Sequence, residues 1–73
     1  MKRERERERL ILADRHIAEA KNSIARQRQL IQELVRDGRE TDLAVSMLSI
    51  LEDSLDNFER HRKIILARLK MPA

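Results

Sequence analysis

Cysteine is absent from this chain, glycine and proline occur once each, and Phe58 is the single aromatic residue. Each shortage closes off a class of function. Without cysteine there is no disulfide framework and no thiolate for a zinc site. With one glycine there is no Gly-rich loop to cradle a phosphate, and no sharp turn to lift a serine out of a helix as a nucleophile. With one aromatic there is no platform on which bases could stack. No stretch approaches the roughly 20 apolar residues of a membrane span. Met1 leads directly into charged residues, unlike a signal peptide. These shortages lead us to expect a cytoplasmic protein without catalytic residues, cofactor or bound metal.

What remains is helix-forming material. Charged residues make up 40% of the 73 residues and apolar residues 41%, too many of the latter for a disordered chain. The apolar set is mostly Leu, Ile and Ala, a composition typical of long helices and coiled coils. A chain this short has a marginal core on its own and gains most from regular helix packing or oligomerisation. The net charge of +3 gives only a weak mean attraction to nucleic acid or anionic lipid.

Gly38, near the middle, divides two series of apolar residues. Before it stand Leu10, Ala13, Ile17, Ala20, Ile24, Ile31 and Leu34, with Gln27 filling the one gap. After it stand Ala44, Leu48, Leu51, Leu55, Phe58, Ile65 and Leu69, with Arg62 filling the gap. Steps of three and four alternate throughout, the mark of a heptad seam. The spacing predicts a helix to about residue 37, a turn over 38–41 and a second helix over 42–70. Gly38 would take the left-handed position that closes a helix, and Thr41 would be the N-cap of the second, with Asp42 in its first turn. So short a link makes the helices antiparallel neighbours. The fold class is therefore all-α, an antiparallel two-helix hairpin.

The two seams can be laid against each other with a near-constant sum of facing positions. Leu34 then faces Ala44, Ile31 faces Leu48, Gln27 faces Leu51, Ile24 faces Leu55 and Ala20 faces Phe58. Ile17–Arg62, Ala13–Ile65 and Leu10–Leu69 complete the series. At the edges Lys21 can meet Glu59 and Arg28 can meet Glu52, both attractive pairs. The run from Lys2 to Arg9 alternates basic and acidic residues. Its cations oppose the macrodipole at a helix N-terminus, so we read residues 1–9 as a frayed extension of the first helix.

The pattern His16-Ile17-Ala18-Glu19-Ala20, Ile24, Gln27, Asp37-Gly38, Thr41, Leu48 through Leu51-Glu52, Leu55 and His61-Arg62 resembles a set of short, uncharacterised bacterial helical-hairpin proteins. The resemblance covers about residues 10 to 69. It implies a small bacterial cytoplasmic protein. That set has no assigned activity, so the resemblance transfers no functional residues.

Four features invite a functional reading. The layers set His16 beside His61, which suggests a metal site or a pH-sensitive pair. Two imidazoles are too few for a closed zinc site, and Ala13 and Phe58 stand where di-iron bundles place glutamate. We read both histidines as boundary residues. Arg62 in the seam is expected to snorkel toward Asp14 or Glu19, and Gln27 to specify register. The open end gathers Arg3, Arg5, Arg7, Arg9, Arg15, Arg60, Arg62, Lys63, Arg68 and Lys70, although glutamates interleave the first of them. This end supplies the alternative reading, a nucleic-acid-associated regulatory protein.

The fourth feature is apolar surface that the hairpin seam leaves over. Leu30, Val35, Leu43, Val45, Met47 and Ile50 lie near the turn, and Ile11, Leu12, Ile64 and Leu66 near the open end. Ala18 and Ala25 add a smooth strip on the first helix. Two helices cannot cover all of these, so the expectation is a homodimer packed as a four-helix bundle. The expected role is that of a non-enzymatic protein–protein interaction or oligomerisation module, with an unidentified protein partner as a further option.

Overall fold

The computed structural model describes residues 2–71. Helix α1 spans Lys2–Arg36 and helix α2 spans Asp42–Lys70. They pack against each other as an all-α hairpin 58 Å long and 14 by 13 Å across. Neither helix contains glycine or proline, so nothing interrupts the hydrogen-bond ladder within it. The charged run that we read as a frayed extension is continuous with α1 from Lys2. Met1 lies outside the described residues.

The turn is built by backbone hydrogen bonds. Gly38 has φ +68°, the left-handed conformation that a β-carbon disfavours. Its N–H donates to the Val35 carbonyl at 3.1 Å, and the Arg39 N–H donates to the Leu34 carbonyl at 2.9 Å. This double closure is the Schellman motif, which satisfies carbonyls that the end of α1 would otherwise leave free. Thr41 stands at the N-cap of α2, as expected, but its side chain makes no capping bond. Its backbone is already in the right-handed helical region (φ −114°, ψ −3°), whereas a capping hydroxyl needs extended backbone to reach back to the first N–H groups. At the far end Arg68 and Lys70 lie in the last turn of α2, where the macrodipole favours cations.

All sixteen predicted seam residues are buried or half-buried. Among the other described residues only Glu6, Ser23, Thr41, Ser54 and Leu66 are so covered. The core is thin. Ala13, Ala20, Ile24, Ala44 and Ile65 make up its buried set, and Ile65 alone reaches 0% exposure.

The seam residues are covered, but two contacts along the seam differ from the expected facing pairs. The layers set Phe58 opposite Ala20, yet its ring centroid lies 5.3 Å from that of His16, one turn nearer the open end. Gln27, set opposite Leu51, instead donates from Nε2 to the Ala44 carbonyl at 3.0 Å. Thr41 and Glu6, which the layers leave outside the seam, are half-buried. The Phe58 and Gln27 contacts are displaced in one sense, with α2 nearer the open end, whereas Arg28–Glu52 and the hollow shared by Lys21, Ile24, Leu55 and Glu59 keep the expected facing. A seam with steps of three and four nearly maps onto itself when one helix slides by a turn, so spacing marks the stripe and leaves the slide open. Polar groups cross the seam from Gln27 to Ala44, from Arg62 to Asp14 and from Arg68 to Glu6.

Candidate interaction surface

The seam's polar members have partners. Arg62 donates from Nε to Oδ1 of Asp14 at 2.6 Å, with its head exposed and its stem along the seam. Of the two edge pairs, Arg28–Glu52 forms at 3.5 Å. Lys21 and Glu59 line the same shallow hollow beside Ile24 and Leu55. His16 and His61 are both exposed, and His16 lies tilted by 35° against Phe58. Among the described residues no group of three or more His, Asp and Glu side chains is placed to hold a metal ion. None of the described helices is long and apolar enough to cross a membrane.

The leftover apolar residues do not form one surface. Heptad geometry sorts them onto two sides of the hairpin. On one side lie Ile11, Ala18, Ala25, Val35, Val45 and Leu66, and Leu66 is half-buried within the hairpin. Charges separate them, because this side also carries the Arg28–Glu52 pair and the hollow flanked by Lys21 and Glu59. The other side holds Leu12 and Leu30 of α1 and, along α2, Leu43, Met47, Ile50 and Ile64. On α2 these belong to a second stripe that keeps the steps of three and four from end to end: Leu43, Met47, Ile50, Ser54, Asn57, His61, Ile64, Arg68, with Met71 next in step just past the helix end, where its backbone is extended. Its apolar members are well exposed, Leu43 at 84%, Ile50 at 59% and Ile64 at 50%. The spacing of this stripe is legible in the sequence.

The open end also differs from a plain reading of its alternating charges. Once residues 2–9 are helical, Lys2, Arg3, Arg5 and Arg9 line a hollow with Arg68, Leu69 and Met71, and among the described residues Glu6 is the one carboxylate in that lining. Glu4 and Glu8 are outside it. Glu6 Oε1 accepts from Arg9 Nη1 at 3.2 Å and lies 3.6 Å from Arg68 Nη1, while Oε2 is buried without a hydrogen bond. Over the whole open end, Lys2, Arg3, Arg5, Arg7, Arg9, Arg68 and Lys70 stand against Glu4, Glu6 and Glu8. Around the turn the balance reverses: Glu33, Asp37, Glu40 and Asp42 stand against Arg36 and Arg39. The molecule is therefore basic at one end and acidic at the other.

Comparison of the chain with protein-family models, with curated proteins and with solved structures gives no match.

Proposed function

We propose that this protein is a small non-enzymatic module of the cytoplasm that acts through helix–helix contact, first of all with a second copy of itself in a four-helix bundle. The observation that carries this reading is the amount of surface left open. The chain exposes 6201 Å². A compact monomer of its 8.7 kDa would expose about 4,700 Å². The excess, roughly 1,500 Å², is more than the roughly 800 Å² that each partner contributes to a standard stable interface. Homodimers with a twofold axis are the commonest way to cover such a surface. Light scattering coupled to size exclusion tests the reading at low micromolar concentration. The expected mass is twice 8.7 kDa. A helical, cooperatively folded species of single-chain mass would remove the basis for it.

A second reading has one observation in its favour, the basic hollow at the open end. On that reading the protein is a nucleic-acid-associated regulator that holds phosphates with Lys2, Arg5, Arg9 and Arg68. The small net charge limits the counterion release that drives such binding, so salt-sensitive and weak affinity is expected for labelled duplex DNA and single-stranded RNA at physiological salt. Sub-micromolar affinity with a sequence preference would make it the better account.

A further inference from the structure

We infer that the second copy docks on the second stripe of α2, antiparallel to it, with the twofold axis passing beside Asn57. This rests on the dimer reading above and specifies its geometry. Three observations carry it. The first is the stripe itself, a helix-long heptad series whose apolar members are exposed and lie on one side of the hairpin. Such a series is the signature of a second helix–helix seam.

The second is the stripe's symmetry. Read outward from Asn57 in both directions, apolar residues match in two of the four pairs, Ile50 with Ile64 and Leu43 with Met71, while Ser54 stands opposite His61 and Met47 opposite Arg68. An antiparallel partner places Ile50 against Ile64 of the second copy and Leu43 against Met71 of the second copy. Asn57 then meets its own equivalent. A slide of two turns would set this amide against Ile50 or Ile64 of the second copy, so the pairing of Asn57 with its equivalent favours the aligned register. The same alignment sets Asp53 beside Arg60 of the second copy on the outer edge, twice by symmetry.

The third is charge. An antiparallel dimer lays the basic open end of each chain beside the acidic turn of the other, and a parallel one would stack two basic ends and set Arg68 against its equivalent. Like charges brought together in this way oppose association.

The chain has no cysteine, so single-cysteine variants report proximity without background. Asn57→Cys, Ile50→Cys and Ile64→Cys are each treated with a short bifunctional thiol reagent, whose reach tolerates normal helix spacing. The antiparallel seam predicts that Asn57→Cys links to itself. Ile50→Cys and Ile64→Cys should each fail to self-link, because equivalent positions lie roughly 20 Å apart along the axis at 1.5 Å per residue. Mixed together, those two variants should link. Self-linking of Ile50→Cys would show a parallel pair and overturn the arrangement. Loss of all three links in a protein that still has dimer mass would place the interface elsewhere, leaving the module reading intact. Single-chain mass for the unmodified protein would end both.

Discussion

Ile64 and Ile65 are neighbours on α2, and they have opposite fates. Ile65 is wholly buried against α1, while Ile64 is half exposed. The two residues stand for two stripes on one helix. Each stripe repeats every three and four residues, and each has polar interruptions. One is covered by the chain's own second helix and the other by nothing within the chain. The comparison teaches that periodicity identifies a surface that wants a helix beside it, and that the count of helices decides whether a second molecule must supply one.

The contrast can be broken most forcefully at Ile65. Its replacement by alanine removes the one fully buried large side chain, so we expect a loss of about 2–5 kcal/mol, measured by urea unfolding followed by circular dichroism. Ile64→Ala should cost the hairpin itself little and should weaken association instead. A larger effect at Ile64 than at Ile65 in a variant already monomeric would reverse the roles given to the stripes.

Next in size is the dependence of unfolding on concentration. Association stabilises the folded state by mass action, so the Tm of the unmodified chain should rise with protein concentration. A Tm that stays constant over a hundredfold dilution, roughly, would mean that the second stripe contributes nothing to stability.

The turn gives a smaller effect. At Gly38 a β-carbon would meet no atom within 4 Å, so the cost of Gly38→Ala is conformational only. At φ +68° that cost is about 1–2 kcal/mol. Thermal unfolding of the variant should show it without any change in helical content.

The smallest change is expected at the charged edge on the opposite side. Arg28 and Glu52 are 61% and 49% exposed, and their ion pair is screened by water and salt. Arg28→Ala should shift stability by less than about 0.5 kcal/mol and leave the mass unchanged.

Much of this molecule is legible in its sequence, for a physical reason. Two uninterrupted helices leave few choices. Gly38 is the residue that can close the first at a left-handed position, and the apolar stripe must lie between them. The sixteen seam residues and the edge pair Arg28–Glu52 follow from that. The detailed facing of groups across the seam did not follow, since a repeating seam is nearly indifferent to a shift of one turn. It depends on single hydrogen bonds such as that from Gln27 to Ala44, which periodicity does not contain. Thr41 shows the same limit, because its residue type suits a cap while its backbone dihedrals do not. The basic character of the open end is also legible in the sequence, but the placing of Glu6 between Arg9 and Arg68 appears only when the alternating run is wound into a helix. The second stripe could have been read from spacing alone. Grouping by distance from the turn mixes the two sides of the helix, whereas the heptad separates them.

The most direct test of the central claim sets the two sides of the hairpin against each other. Ile50 and Val45 are both exposed apolar residues of α2 near the turn, at 59% and 49%, but only Ile50 belongs to the second stripe. Lysine placed at either position should leave the hairpin seam untouched. Light scattering coupled to size exclusion is then run on Ile50→Lys and Val45→Lys at the same low micromolar concentration. The account predicts a mass of 8.7 kDa for Ile50→Lys and twice that mass for Val45→Lys. A dimeric Ile50→Lys beside a monomeric Val45→Lys, or two variants that remain dimers alike, would contradict it.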